Sequence, residues 1–97
     1  MKKKRTRLFY AAELMRLMSH PVRLSMLSNL ADHDEMSVTD IVDSEMGAVS
    51  QSHASQFLAR MRKDGLVSTR KDGQTVYYRL QSKEARRMIE ALRDIFL

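Results

Sequence analysis

Apolar residues recur near the start of the chain at the spacing of one helix face. Five of them stand at i, i+3, i+4, i+7 and i+10, which is a helical period: Leu8, Ala11, Ala12, Met15 and Met18. The sequence Ser19-His20-Pro21 interrupts this pattern, and a second helix is predicted to begin there because proline is tolerated in a first turn. That helix has an apolar stripe formed by Leu24, Leu27 and Leu30.

A third, short helix is predicted after the polar connection at residues 32–35. Ser37 and Asp40 have the spacing of a capping box, in which a side chain at each position bonds the backbone of the other. The helix carries three apolar residues, Val38, Ile41 and Val42. Gly47 lies in the turn that follows, and the next helix is expected only a few residues later.

The fourth helix is predicted from about Gln51 to Lys63. Ser50 is placed to cap its first turn, and Asp64-Gly65 ends it because glycine adopts the left-handed C-terminal conformation at little cost. Its apolar positions follow i, i+4 and i+7 and are Ala54, Leu58 and Met61. The remaining side chains of its first half are polar, so the pattern predicts one buried and one exposed face.

Two strands and a last helix complete the pattern. Residues 66–70 and 75–80 are rich in Val, Thr and Tyr and are predicted as the two strands. The Asp-Gly pair within residues 71–74 indicates a hairpin turn between them. Ser82 caps a final helix whose apolar face carries Ala85, Met88, Ile89, Leu92 and Ile95.

These elements predict one mainly α-helical domain over residues 1–97, with a small β-hairpin between the fourth and fifth helices. Two short helices joined by a turn and followed by a hairpin are typical of a winged helix-turn-helix. Residues 1–6 contain four consecutive cationic side chains and are interpreted as a flexible basic tail.

Composition excludes several classes of function. The chain has no cysteine, which rules out disulfides, thiolate metal sites and thiol catalysis. Its three histidines are widely spaced, which disfavours a transition-metal site. No metal and no cofactor are therefore predicted. No glycine-rich phosphate loop and no nucleophile–base pair is visible, so we expect no catalytic residues and no enzyme. No apolar run approaches the ~20 residues of a membrane span, and we expect a cytoplasmic protein.

The net charge of +5 suits a polyanionic partner, because each phosphate that the protein neutralises releases counterions and so favours binding. A recognition helix buries one face and offers short or planar hydrogen-bonding side chains to the major groove, where glutamine pairs with adenine. The fourth helix and the hairpin together supply the candidate contacts to double-stranded DNA: Ser50, Gln51, Ser52, His53, Ser55, Gln56, Arg60, Arg70, Lys71 and Gln74. Of these, Arg70 and Lys71 are expected at the tip of the hairpin.

Each of these features also has an ordinary structural interpretation. A helix start rich in serine and glutamine is compatible with a capped, solvated end, and lysine and arginine are commonly plain surface charge. His53 is compatible with DNA contact, capping or simple exposure. A winged helix can also serve as a protein-interaction module without specific DNA binding, so this stays the alternative function.

Four segments resemble the ArsR-type family of winged helix repressors. They are SHPVRL at 19–24, QSHASQFL at 51–58, RKDGLV at 62–67 and GQTVYY at 73–78. The resemblance extends over nearly the whole chain. It implies a bacterial, homodimeric repressor whose first and last helices form the subunit interface and whose operator is an inverted repeat. The apolar faces of residues 8–18 and 85–95 suit that role, and both are also compatible with core.

Three departures from the family pattern bear on function. Phe57 stands where the family has histidine, and residues 45–49 make the turn before the fourth helix about two residues longer. The first departure predicts altered base preference and the second a re-aimed recognition helix. The chain looks closest to the branch that senses sulfur or redox species through a cysteine pair, yet it has Ser28 and Leu97 at the matching places. The inducer therefore stays open.

Overall fold

The computed structural model describes residues 2–97, with the side chains of residues 3–97. Five α-helices and three strands follow one another in the order α1 (Lys2–Met18), α2 (Pro21–Ala31), β1 (Met36–Ser37), α3 (Val38–Ser44), α4 (Gln51–Lys63), β2 (Val67–Asp72), β3 (Thr75–Leu80) and α5 (Lys83–Phe96). The predicted winged helix-turn-helix is confirmed, with α3 and α4 as the two short helices and β2–β3 as the wing. None of the helices in residues 2–97 is long and apolar enough to cross a membrane.

Side-chain caps explain where the helices begin. The Ser37 hydroxyl accepts the Asp40 N–H at 3.1 Å and the Asp40 carboxylate accepts the Ser37 N–H at 3.3 Å, so the predicted capping box is complete. At the start of α5 the Ser82 hydroxyl accepts the Ala85 N–H at 3.1 Å. His20 caps α2, because its Nδ1 accepts the Val22 N–H at 3.2 Å. Each such cap satisfies a backbone donor that has no partner within its helix.

The structure differs from the predicted elements at the start of the chain and in the wing. Of residues 1–6, interpreted from the sequence as a flexible tail, residue 1 lies outside the described residues and residues 2–6 belong to helix α1. Lysine and arginine favour helix, and no glycine or proline separates them from Leu8. The wing is not a lone hairpin: β1 adds a third strand in the order β1-β3-β2, with Met36 opposite Tyr78. A two-residue strand is too short to produce a period in sequence.

The hairpin turn is also tighter than predicted. Asp72 pairs with Thr75, so the loop consists of Gly73 and Gln74 alone. Gly73 has a φ of +61°, and a glycine at the first loop position is what a type II′ hairpin turn requires. Arg70 and Lys71 therefore lie within strand β2, and the tip is formed by Gly73-Gln74.

The core is formed where α2, α3, α4 and the sheet meet. Fully buried side chains come from every one of these elements; they include Met26, Leu30, Ile41, Leu58, Met61 and Val67. From α1 the buried residues are Leu14, Leu17 and Met18. The apolar stripe predicted from the sequence shares only Met18 with these buried residues. Leu8 and Met15 of that stripe are 69% and 59% exposed. Helix α1 thus has apolar residues on a buried side and on an exposed side.

Candidate nucleic-acid interface

Helix α4 separates its two faces as the sequence predicted. Ala54, Leu58 and Met61 are buried against the core. The opposite face is exposed, and it carries every candidate contact from this part of the chain: Ser50, Gln51, Ser52, His53, Ser55, Gln56 and Arg60. Over residues 50–56 the exposed side chains are all polar, so this half of the helix can offer hydrogen bonds to the edges of bases.

The start of α4 is fixed by Ser50. Its hydroxyl accepts the backbone N–H of His53 at 3.1 Å, which is the predicted N-cap. The His53 side chain is exposed. The free N–H groups of a first turn, together with the helix dipole, favour an anion at this end.

Phe57 lies on the flank of α4 rather than on its exposed face. Its side chain is half-buried and packs against the core, and its ring centroid is 4.9 Å from that of His20. The contact joins the middle of α4 to the start of α2. The substitution of phenylalanine for the family's histidine therefore falls at a contact between helices.

Cationic side chains gather at the end of α4 that is remote from its cap. Arg60, Arg62 and Lys63 occupy the last turn and are exposed. The Nε of Arg60 lies 3.4 Å from a carboxylate oxygen of Asp64, so this guanidinium shares an exposed ion pair with the residue that ends the helix. Exposed pairs of this kind are weak and exchange partners readily.

Arg70 is tied down along the wing instead of projecting from its tip. Its Nε donates to both carboxylate oxygens of Glu35, at 2.9 and 3.2 Å, and its guanidinium lies 4.8 Å from the centroid of the Tyr77 ring. The hydrogen bond to Glu35 raises the pKa of Arg70 above its usual value. This correction follows from register, because Arg70 and Tyr77 are paired across the hairpin and Glu35 directly precedes β1.

Lys71 and Gln74 are the outermost candidate contacts of the wing. Both are exposed, and within the described residues neither side chain has a hydrogen bond or an ion pair. Helix α4 contacts strand β2, so the recognition helix and the wing are neighbours in one surface. The same described residues contain no group of three or more His, Asp or Glu side chains arranged to hold a metal ion.

A second surface, on α1 and α5, is apolar. Its exposed large side chains are Leu8, Phe9, Tyr10, Met15, Ile95, Phe96 and Leu97. Two apolar grooves of about 300 and 310 Å³ run between α5 and its neighbours, and Leu24 and Leu92 line both of them. Apolar exposure on this scale in a small domain is typical of a surface that binds another protein chain, a membrane or a ligand.

Three residues that matter to these surfaces were missed from the sequence. The pairing of Tyr77 with Arg70 was accessible from the hairpin register. Glu35 is 35 positions from Arg70 and gave no local signal. Glu45 lies in the turn before α4, as the sequence indicated, but the burial of its carboxylate was not predicted.

Comparison with known proteins identifies the family. Residues 20–69 match the model described as bacterial regulatory protein, arsR family. The transcriptional activator HlyU of Vibrio cholerae is 44% identical over 86 residues, which are 89% of this chain and 77% of that protein. The nodulation protein NolR of Rhizobium meliloti is 40% identical over 86 residues, covering 89% and 68%.

Solved structures agree with this result. The crystal structure of the transcriptional regulator HlyU from Vibrio vulnificus has a TM-score of 0.88 at 38% identity, and the alignment covers 99% of this chain and 97% of that one. The transcriptional repressor BigR from Xylella fastidiosa has a TM-score of 0.88 at 31% identity, covering 99% and 95%. The chain belongs to the arsR family of bacterial regulatory proteins and is a DNA-binding transcriptional regulator.

Proposed function

We propose that this regulator is a homodimeric repressor that reads an inverted-repeat DNA operator, with half-sites about one helical turn apart. The observation that carries the proposal is the exposed face of α4, where the side chains of residues 50–56 that are not in contact with the core are all polar. Gln51 and Gln56 read base edges, while Ser50, Ser52, His53 and Ser55 contact bases or adjacent phosphates.

The wing and the end of α4 supply the sequence-independent part of the affinity. Lys71 and Gln74 reach the DNA backbone beside the recognition helix, and Arg60 and Arg70 contribute charge. Because Arg70 is held by Glu35 and Tyr77, a phosphate has to compete with that carboxylate for it. Lys71 is the stronger backbone contact for this reason.

The dimer forms through the apolar surface on α1 and α5. Leu8, Phe9 and Ile95 are each more than half exposed in the single chain, and covering them removes apolar area from water. A two-fold axis through this surface presents two α4 helices to DNA, which matches a two-fold symmetric operator. Cytoplasmic placement follows from a DNA-bound role.

The absence of cysteine bears on regulation. Sensing of sulfur species or arsenite through a thiol requires a thiolate, and the chain has no cysteine. A zinc site without thiolates requires a cluster of His, Asp or Glu ligands, and the described residues contain no such group. We therefore expect polysulfide, arsenite and zinc to leave the operator affinity unchanged. A clear loss of affinity with any one of them, measured by fluorescence anisotropy, would contradict this expectation.

The decisive experiment is selection of genomic DNA fragments by the purified protein at near-physiological salt, followed by sequencing. Recovery of one palindromic motif, bound by two chains in sedimentation analysis, supports the proposal. Retention without a motif, weak and strongly salt-dependent, would favour a protein-interaction module instead.

A further inference from the structure

Glu45 is unusual among the charged residues of this domain. Its side chain is only 7% exposed, and within the part of the chain that the structure describes it is the one charged side chain in the buried class. It directly follows α3, in the six-residue connection that leads into α4. Burial of a carboxylate is unfavourable unless hydrogen bonds compensate for the lost water, so its contacts identify its role.

Both donors that satisfy Glu45 come from α2 and meet at one oxygen. The Ser25 hydroxyl donates to Oε2 at 3.0 Å, and the Asn29 side-chain amide donates to the same atom at 2.6 Å. Ser25 and Asn29 are one helical turn apart and share a face of α2. A single carboxylate oxygen therefore joins the turn between α3 and α4 to helix α2.

The backbone around Glu45 is fixed as well. Its N–H donates to the Val42 carbonyl at 3.1 Å and its carbonyl accepts the Ala48 N–H at 3.0 Å. Between these bonds Met46 and Gly47 have φ values of +53° and +90°. Met46 is a non-glycine residue in the left-handed region, which costs roughly 1 kcal/mol or more, and its side chain is 92% exposed.

Two buried side chains thus flank an exposed reversal of the chain. Glu45 enters the reversal and Val49, 8% exposed, leaves it, just before the Ser50 cap of α4. Apart from the Ser50 cap of α4, the side-chain hydrogen bonds of residues 45–50 are those of Glu45 to α2. Glu45 is therefore the side chain that ties this reversal to α2.

We propose that Glu45 is a positioning residue for DNA readout: through Ser25 and Asn29 it sets the placement of α4 relative to α2, and so aligns Gln51 and Gln56 with the bases. This deepens the proposed function and rests on it for its DNA readout. In this view the hydrogen bonds of Glu45 to α2 restrain the longer turn, so that the position of α4 does not depend on the contacts of α4 alone.

Three variants separate positioning from charge. Glu45→Ala removes the acceptor, and we expect the ratio of operator affinity to non-specific affinity to fall about 10-fold, within the range produced by indirect changes of placement. Glu45→Gln keeps a carbonyl oxygen with two lone pairs, so it retains both hydrogen bonds and the ratio. Asp43→Ala, an exposed carboxyl on α3 two residues earlier, removes the same charge and leaves the ratio unchanged.

Amide hydrogen exchange of residues 46–53 in the free protein provides a readout that needs no operator. Exchange should accelerate in Glu45→Ala and stay near that of the unmodified chain in Glu45→Gln and Asp43→Ala. If no operator is found, the proposed function fails while this measurement still decides the role of Glu45. Should Glu45→Ala fail to fold, Asn29→Ala removes one donor and should shift both readouts in the same direction.

Two results would overturn the inference. One is a folded Glu45→Ala protein with an unchanged affinity ratio and unchanged exchange in the turn. The other is a Glu45→Gln protein as impaired as Glu45→Ala, since the charge and not the shared acceptor would then be what matters.

Discussion

The exposed face of α4 and the exposed faces of α1 and α5 differ in a way that separates two kinds of partner. On α4 the exposed side chains are polar or charged apart from Ala59, and the larger apolar residues pack against the domain itself. On α1 and α5 the chain leaves Phe9, Ile95 and Phe96 in contact with water. The first surface can accept a polar ligand, whereas the second suits an apolar partner, which we propose is a second copy of the chain.

The two surfaces are connected through α2. Arg93 of α5 donates to the Ser28 hydroxyl at 2.7 and 3.0 Å, donates to the Ser28 carbonyl, and pairs with the Asp32 carboxylate at 2.7 and 2.9 Å. Ser25 and Asn29 hold Glu45 on the same side of α2. A polar stripe on one helix therefore fixes both the apolar helix α5 and the turn before the recognition helix.

The largest expected effect comes from placing a charge on the apolar surface. Ile95→Glu should give a folded monomer, because Ile95 is 70% exposed in the single chain. Operator affinity should fall by roughly 100-fold or more, the loss expected when two linked half-site contacts become independent. Sedimentation and anisotropy measure the two effects. Gln81→Glu adds the same charge away from this surface and should change neither; a dimeric Ile95→Glu protein would refute the assignment.

A smaller and more selective effect is expected on α4. Gln51→Ala and Gln56→Ala should each reduce discrimination between the operator and single-base variants by about 1–3 kcal/mol at one position. The melting temperature should not change, because both side chains are exposed. Competition binding with a set of mutated operators makes the measurement. Gln81→Ala is the matched control, and an equal loss on every sequence would exclude base readout by these glutamines.

The wing should show a still weaker, sequence-independent effect. Lys71→Ala should lower affinity evenly on all DNAs and reduce the slope of log affinity against log salt by about 1, as for one lost phosphate contact. Arg70→Ala should have less effect, because Glu35 already pairs with that guanidinium. Salt titrations of both variants give the comparison, and a larger slope change for Arg70→Ala would reverse their order.

The smallest effect concerns how α5 is attached to the domain. The hydrogen bond from Arg93 lowers the pKa of Asp32 in the folded chain. A lowered folded pKa stabilises the protein above the unfolded value and loses this contribution as the pH falls through the folded value.

The difference in melting temperature between the unmodified chain and Asp32→Asn should therefore shrink from about pH 6 to about pH 2.5. Asp34→Asn removes an exposed carboxyl from the same loop and serves as the control. A difference that stays constant over this range would show that Arg93 does not depend on the Asp32 charge.

Local signals in the sequence were enough to place all five helices and the hairpin. Caps at Ser37, Ser50 and Ser82 and the glycines at 65 and 73 act within a few residues, and the period of the apolar positions fixes helix type without reference to the rest of the chain. The polar face of α4 was predictable for the same reason, because burying Ala54, Leu58 and Met61 determines which residues face outward.

Tertiary structure decided what depends on contacts between distant segments. Strand β1 forms because Met36 pairs with Tyr78. Arg70 is restrained because Glu35 reaches it from the other edge of the sheet. Glu45 can be buried because Ser25 and Asn29 of α2 donate hydrogen bonds to it. The sequence also could not decide which apolar side of α1 enters the core. Period and capping are properties of a single segment, whereas burial and hydrogen-bond partnership belong to pairs of segments that only folding brings together.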